Sequence, residues 1–249
     1  MQLSDLQNKH NDEVIFVVGA GPSINNINFE LLRDYTIMAV NSGILATSYI
    51  EYMVSDDPAI LNWTYFDDVE RSDCVCLFFE NRWRNVDIKS IPMKRVAFYN
   101  HKSWFSPPDI YNLSNGLILT KDITKPIVGS RTSFSSCVHL AYCMGAKVIV
   151  LLGNDCQLSK DKYQYRYFWQ YWEKKKRPSR VKGHVFTSRT QNVGFGQKDF
   201  QEYWNKFAEV NKEIIGKKVE IIDCSDSSLT CFPKMHIKEI LDRYGDRRK

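Results

Sequence analysis

Seven short apolar runs, at 14–18, 36–40, 51–55, 74–79, 95–99, 147–152 and 219–223, constrain this chain more than any other feature. Each is apolar at odd and even positions alike over most of its length. A strand built from such a run has two faces to hide. Helical spacing appears between and after these runs, at 28–34, 133–144, 199–215 and 236–244, with Asn28 and Thr132 placed to cap the first two. In 199–215, Phe200, Trp204, Phe207, Val210, Ile214 and Ile215 recur at helical spacing, and Gly216 ends the run. The alternation predicts an α/β, Rossmann-like doubly wound fold with a mostly parallel sheet. The 249 residues, 43% of them hydrophobic, suffice for one such domain over 1–249. Residues 157–198 break the pattern. They are too long for an ordinary helix-to-strand connection and read as a lid-like insertion.

Several function classes recede on composition. No apolar run reaches the roughly 18 residues that span a bilayer. The first residues, "MQLSDLQNKHNDE", lack a signal-peptide apolar region, so a cytoplasmic location is expected. The seven cysteines (74, 76, 137, 143, 156, 224 and 231) form no C-x-x-C pair and sit mostly in apolar runs. They are expected to be reduced rather than a disulfide frame or a zinc set. His10, His101, His139 and His236 have no metal-ligand spacing, and no metal site is expected. The net charge of +5 suits an anionic ligand without calling for nucleic acid.

The segments immediately after the runs are polar. Gly19-Ala20-Gly21-Pro22-Ser23 comes after the first, Asn41-Ser42-Gly43 after the second and Asp56-Asp57-Pro58 after the third. Gly153-Asn154-Asp155 comes after the sixth and Ser225-Asp226-Ser227 after the seventh. In a parallel sheet all five lie on one edge, where open α/β folds bind ligands. The stretch "VIFVVGAGPSI" is not a dinucleotide fingerprint. Ile24 stands where the third glycine belongs, and the next strand ends in Asn41 rather than an acid. No Gly-Lys-Ser/Thr comes next, which excludes a Walker loop. Gly19 and Gly21 permit close backbone approach, and free N–H groups at such a turn favour an anion. A strand-ending turn without a ligand is the plain alternative. Ser130, Thr132 and Ser133, at the start of the 133–144 helix, read the same way, with simple capping as their alternative.

Taken in order, "VIFVVGAGPSINNINFELL", "MAVNSG", "YMVSDDP", "GSRTSFSSCVHLAYCMGAKVIVLLGNDCQ" and "VEIIDCSDSSLTCFP" resemble the motility-accessory-factor and hydroxymethylpterin-pyrophosphokinase-like family. More distantly they resemble the bacterial lipooligosaccharide sialyltransferases. The resemblance spans residues 14 to about 232. It implies a nucleotide site with Asn41 near the phosphate and ribose, and Thr132-Ser133 on the nucleotide or donor carboxylate. It also implies Tyr163 on the leaving phosphate. Three positions depart from the sialyltransferase pattern: Ala20 replaces an Asn, Gln157 a second lid tyrosine, and Gln197 the histidine base. Glutamine cannot accept a proton, so His184, the one histidine in the lid, becomes the candidate base. "MVSDDP" looks more like the motility-factor and pterin-kinase branch. The archaeal pterin enzymes move diphosphate from ATP with magnesium, and Asp56, Asp57 and Asp155 would then be its ligands.

The insertion is aromatic, then basic. Seven of the ten residues from Tyr163 to Trp172 are aromatic, which suits sugars or bases, or the packing of a helical hairpin on the core. Lys174, Lys175, Lys176 and Arg177 come next, either as a solvated face or as an attractor for an anionic acceptor or a peripheral membrane surface. The leading expectation is an inverting glycosyltransferase using a nucleotide-activated sugar, a CMP-linked nonulosonic acid, on a glycan or protein acceptor. The alternatives are a magnesium-dependent hydroxymethylpterin diphosphokinase, or a non-catalytic nucleotide-binding protein on the same fold. A homo-oligomer is compatible with each.

Overall fold

The structure is a computed structural model that describes residues 1–101, 117–128, 132–156, 167–181 and 197–246, with side chains from Phe200 onward in the last segment. All seven apolar runs are strands: β1 (Val14–Val18), β2 (Thr36–Val40), β3 (Tyr52–Ser55), β4 (Val75–Phe79), β5 (Val96–Tyr99), β6 (Val148–Leu152) and β7 (Glu220–Asp223). They form one sheet in the order β5-β4-β3-β2-β1-β6-β7, and every pair is parallel. Every residue of β1, β2, β3 and β6 is buried, so the sheet is covered on both faces as the unbroken apolar runs require. The chain lays down β1 to β5 outward in one direction, then returns to the other side of β1 with β6 and β7. The direction of growth therefore reverses between β1 and β6. Ligands of open α/β sheets bind at such a reversal.

The connections are shorter and tighter than helical spacing predicts. The helices are α1 (Phe66–Arg71), α2 (Glu80–Trp83), α3 (Ser133–Cys143), α4 (Gln197–Val210) and α5 (Ile237–Tyr244). Asn28 caps as expected, accepting from the Glu30 amide at 3.2 Å, but only a 3-10 turn, Phe29–Leu32, comes after it. α4 stops five residues before Ile215 because Asn211 takes over the local hydrogen bonding. Its buried side chain accepts from Leu119 N–H (2.7 Å) and donates to the Leu117 and Phe207 carbonyls (both 2.8 Å). The chain then turns through Gly216 at φ +86°. An isolated helix reading cannot see a side chain recruited by a distant segment.

α3 is buried at all 11 positions and lies across β1, β2, β3 and β6. His139 ties its outer side to the 117–128 segment. Its Nδ1 accepts from Val128 N–H at 2.6 Å, and its Nε2 sits 2.9 Å from the Thr120 carbonyl and 3.0 Å from the Thr120 amide. The cysteines are free thiols, four of them buried. No described helix is long and apolar enough to cross a membrane. His139→Ala removes both bonds and leaves a cavity, so it is expected to lower the unfolding free energy by about 2–4 kcal/mol, read by urea denaturation.

Candidate functional site

At the reversal between β1 and β6 the polar segments converge. β1 delivers Gly19-Ala20-Gly21 beside Gly153, and hydrogen bonding between the β1 and β6 segments continues past the strand ends. Gly19 N–H donates to Leu152 O (2.8 Å) and Gly21 N–H to Gly153 O (2.9 Å). This crowding is why both residues are glycine. A Cβ on Gly19 would lie 2.6 Å from Gly153 O, and one on Gly21 would lie 2.5 Å from the Asp155 carboxyl carbon. Gly21 has an ordinary φ of −67°, so close approach, not backbone freedom, sets the requirement.

The same bonds correct the expectation of a turn with free amides. Gly19 and Gly21 spend theirs on β6, Pro22 has none, and the Ser23 amide goes to Asp155 at 2.9 Å. Ala20 alone keeps an unpaired N–H among the described residues of the turn. Asp155 accepts from both the Ser23 amide and the Ser23 hydroxyl and so clamps the turn to the end of β6. Burial pushes the Asp155 carboxyl above the ordinary range. The Asp226 and Asp223 carboxylates push the same way, and the Ser23 bonds oppose them.

A cleft of about 820 Å³ opens here. Gly19, Ala20, Gly21, Pro22 and Ser23 line one side, with Gly153, Asn154 and Asp155 behind them. Asn41, Ser42 and Thr132 also line it. Asn41 holds a left-handed backbone, φ +50°, and its buried Oδ1 has no hydrogen-bond partner among the described residues. Asn154 is also buried, and its Nδ2 is likewise unpartnered. Buried polar atoms are almost always satisfied, so these two cleft-lining amides have bonding capacity that the described residues do not fill.

The lining is also aromatic. Trp63, Tyr65, Tyr167, Trp169 and Tyr171 face the cleft. Tyr167 stacks on Trp169 at 5.1 Å between centroids, and Trp63 meets Trp169 at 5.7 Å. The segment 167–181 is not a helical hairpin. It is a strap of two 3-10 turns, Phe168–Tyr171 and Lys174–Lys176, in which Phe168 packs into the core while its neighbours Tyr167 and Trp169 face the cleft. It is tied down at both ends. Phe168 N–H donates to Ala20 O (3.0 Å), and Asn25 donates to Phe168 O (3.1 Å). Trp169 Nε1–H reaches Ser42 Oγ (3.2 Å). At the far end Thr64 N–H donates to Ser179 O (2.9 Å) and Val181 N–H to Asn62 O (2.8 Å), and the Arg180 guanidinium lies 5.6 Å over Trp63.

The remaining candidates fall elsewhere. Asp56, Asp57 and Ser133 sit at the same sheet edge but do not line the cleft. Asp56 is buried, bonded to Tyr99 and to Ser136 (3.3 Å), with His101 Nε2 at 3.5 Å. Its own amide donates to Ser133 Oγ at 3.0 Å. Asp57 caps the Ala59 amide (3.0 Å) and pairs with Arg82 (2.9 Å). Asp155 in turn is held by Ser23, so the three acids have separate protein partners. No group of three or more His, Cys, Asp or Glu among the described residues is placed to hold a metal. Ser130, Tyr163, His184 and Gln157 lie outside the described residues, and Gln197 is described only as the first backbone position of α4.

Sequence reasoning missed Trp63 and Tyr65. Their signal was there: "NWTYF" places three aromatics within four residues, separated from the Asp-Asp-Pro turn by three residues. Asn25 was missed for a simpler reason, since only its bond to the strap gives it a role.

The Asp155 environment has a pH consequence. A carboxyl whose pKa is raised by folding costs stability when ionised, and the cost is relieved as pH falls through the folded pKa. Asparagine at this position cannot titrate. The stability of the native chain relative to Asp155→Asn is therefore expected to rise as pH is lowered from neutral toward about 4, the ordinary carboxylate range. Urea denaturation of both proteins across that range checks it, and a fall would mean the clamp holds the carboxylate in its charged form.

The fold can be compared with known proteins. A solved glycosyltransferase, described as MAf glycosyltransferase from Magnetospirillum magneticum AMB-1, superposes on 94% of this chain with a TM-score of 0.54 and 14% sequence identity. That likeness concerns the fold, and this chain spans 37% of the length of that protein. No curated protein matches the chain in sequence. A family model described as 6-hydroxymethylpterin diphosphokinase MptE-like matches residues 1–161, and by that match the chain belongs to the MptE-like family.

Proposed function

We propose that the chain is a glycosyltransferase that takes a nucleotide-activated sugar in the β1/β6 cleft, with a CMP-linked nonulosonic acid as the donor. The observation that carries this reading is the make-up of one cleft, whose lining combines the clamped glycine turn and the amide side chains of Asn41 and Asn154 with the aromatic rings of Trp63, Tyr65, Tyr167, Trp169 and Tyr171. Planar aromatic faces suit both a base and the C–H face of a sugar, while amides fix orientation. A volume of about 820 Å³ is in the range that accommodates a ligand of this size. The choice of CMP rests on the sialyltransferase resemblance.

In this reading Asn41, Ser42 and Asn154 hold the nucleotide, and Thr132 at the start of α3 faces its anionic end. Tyr163 steadies the leaving phosphate, a role that rests on the lid resemblance, and His184 deprotonates the acceptor hydroxyl, a role given to it as the one histidine in the lid. The acceptor is a glycan or a protein. A second reading is favoured by the family itself: transfer of diphosphate from ATP to a pterin. It would draw magnesium to Asp56, Asp57 or Asp155, acids that bond to Tyr99, Arg82 and Ser23 respectively.

A thermal-shift panel of CMP, CDP, UDP, GDP, ATP and NAD, each with and without magnesium, separates the two. CMP at a hundred times its Kd is expected to add about 2.7 kcal/mol without metal, or roughly 5–10 °C for a chain of this size. Stabilisation only by ATP with magnesium would establish the diphosphokinase reading instead. His184→Ala is expected to keep the CMP shift and lose about 10²–10⁴-fold in transfer; full transfer by that variant would remove His184 from the mechanism.

A further inference from the structure

The strap from Tyr167 to Val181 carries five cations, Lys174, Lys175, Lys176, Arg177 and Arg180, against one acid, Glu173. Its net charge of +4 accounts for nearly all of the chain's +5, and everything outside it is close to neutral. This charge faces water. Lys175 and Lys176 are 80% and 64% exposed and share Glu173 at 3.3 and 3.6 Å. Exposed pairs of that kind contribute little and leave the field of the patch intact. Arg177 is turned inward at its Nε, which donates to the Trp172 carbonyl at 2.7 Å and fixes the turn that presents the lysines.

Two aromatic side chains at the mouth of the cleft lie on the same strap as the cations: Tyr167 is 42% exposed and Tyr171 is 56% exposed, while Phe168 and Trp169 are buried. Half-exposed phenol rings on one strap with a lysine cluster match the headgroup level of an anionic bilayer, where the rings bridge apolar and wet layers and the cations meet lipid phosphates. We propose that the 167–181 strap docks the protein on an anionic phospholipid surface and so presents the mouth of the cleft to membrane-bound material. A threaded polyanion, such as single-stranded nucleic acid, fits less well. It needs cations along its groove, whereas the described residues lining the cleft include Asp155 and Asp226 and no lysine or arginine. The proposal concerns how the cleft is presented and is independent of which nucleotide it takes.

Vesicle flotation at about 0.1 M salt tests it. The full chain is expected to bind phosphatidylcholine vesicles containing about one third phosphatidylglycerol, and not phosphatidylcholine alone. The triple variant Lys174→Glu, Lys175→Glu, Lys176→Glu is expected to lose at least about 100-fold in partitioning. The charge-matched triple variant Lys212→Glu, Lys217→Glu, Lys218→Glu, at exposed positions outside the strap, is expected to retain binding. Thermal unfolding of both confirms that they are folded. Equal losses in the two triple variants would overturn the proposal, because net charge alone would then explain binding. So would no binding to anionic vesicles, or retention on heparin or oligo(dT) without vesicle binding.

Discussion

The site depends on one contact, the double hydrogen bond from Ser23 to Asp155. It joins the turn after β1 to the end of β6 across the point where the sheet reverses its direction of growth. Everything near it reflects the closeness it enforces. Gly19 and Gly21 lack side chains because β6 leaves no room for them. Their amides are consumed in extending the ladder. The strap is then bolted to the same turn through Ala20 and Asn25. A glycine-rich turn of this kind is therefore a rigid edge of the cleft and not a ring of free amides. The burial that makes the clamp tight also makes the Asp155 charge costly.

The acids at this edge share a common fate. Asp56, Asp57 and Asp155 look alike in sequence, each placed just after a strand, yet each is committed to different neighbours. Asp56 organises a buried group with Tyr99, Ser136 and His101, with His101 stacked on Phe79 at 4.0 Å. Asp57 begins a 3-10 turn and pairs with Arg82. Asp155 clamps. Ionisable groups at the edge of an α/β sheet thus stabilise the loops that shape a site as well as serving within it.

The fold was legible because burial on both faces leaves an unbroken apolar run, a signal that needs no partner to be read. All seven strands lie where such runs occur, and the parallel order placed the Gly19, Asn41 and Gly153 segments together. What failed to show in the sequence depends on distant contacts. The end of α4 is set by Asn211 bonding to Leu117 and Leu119, over 90 residues away in the chain. The direction in which Ser133 points is set by the Asp56 amide, and the spent amides of the turn are set by β6. Trp63 becomes a wall of the cleft only because Arg180 and Trp169 arrive beside it from the strap. No local pattern encodes those meetings.

The central claim is that a nucleotide occupies the space between the clamped turn and the aromatic strap. Amide hydrogen exchange with and without CMP tests it most directly, because it reports position as well as binding. Slowed exchange concentrated in residues 19–25, 41–43 and 167–172 is the predicted result. Slowed exchange instead around residues 47–52 and 68–75, which border a second cleft, would contradict it, as would no change anywhere.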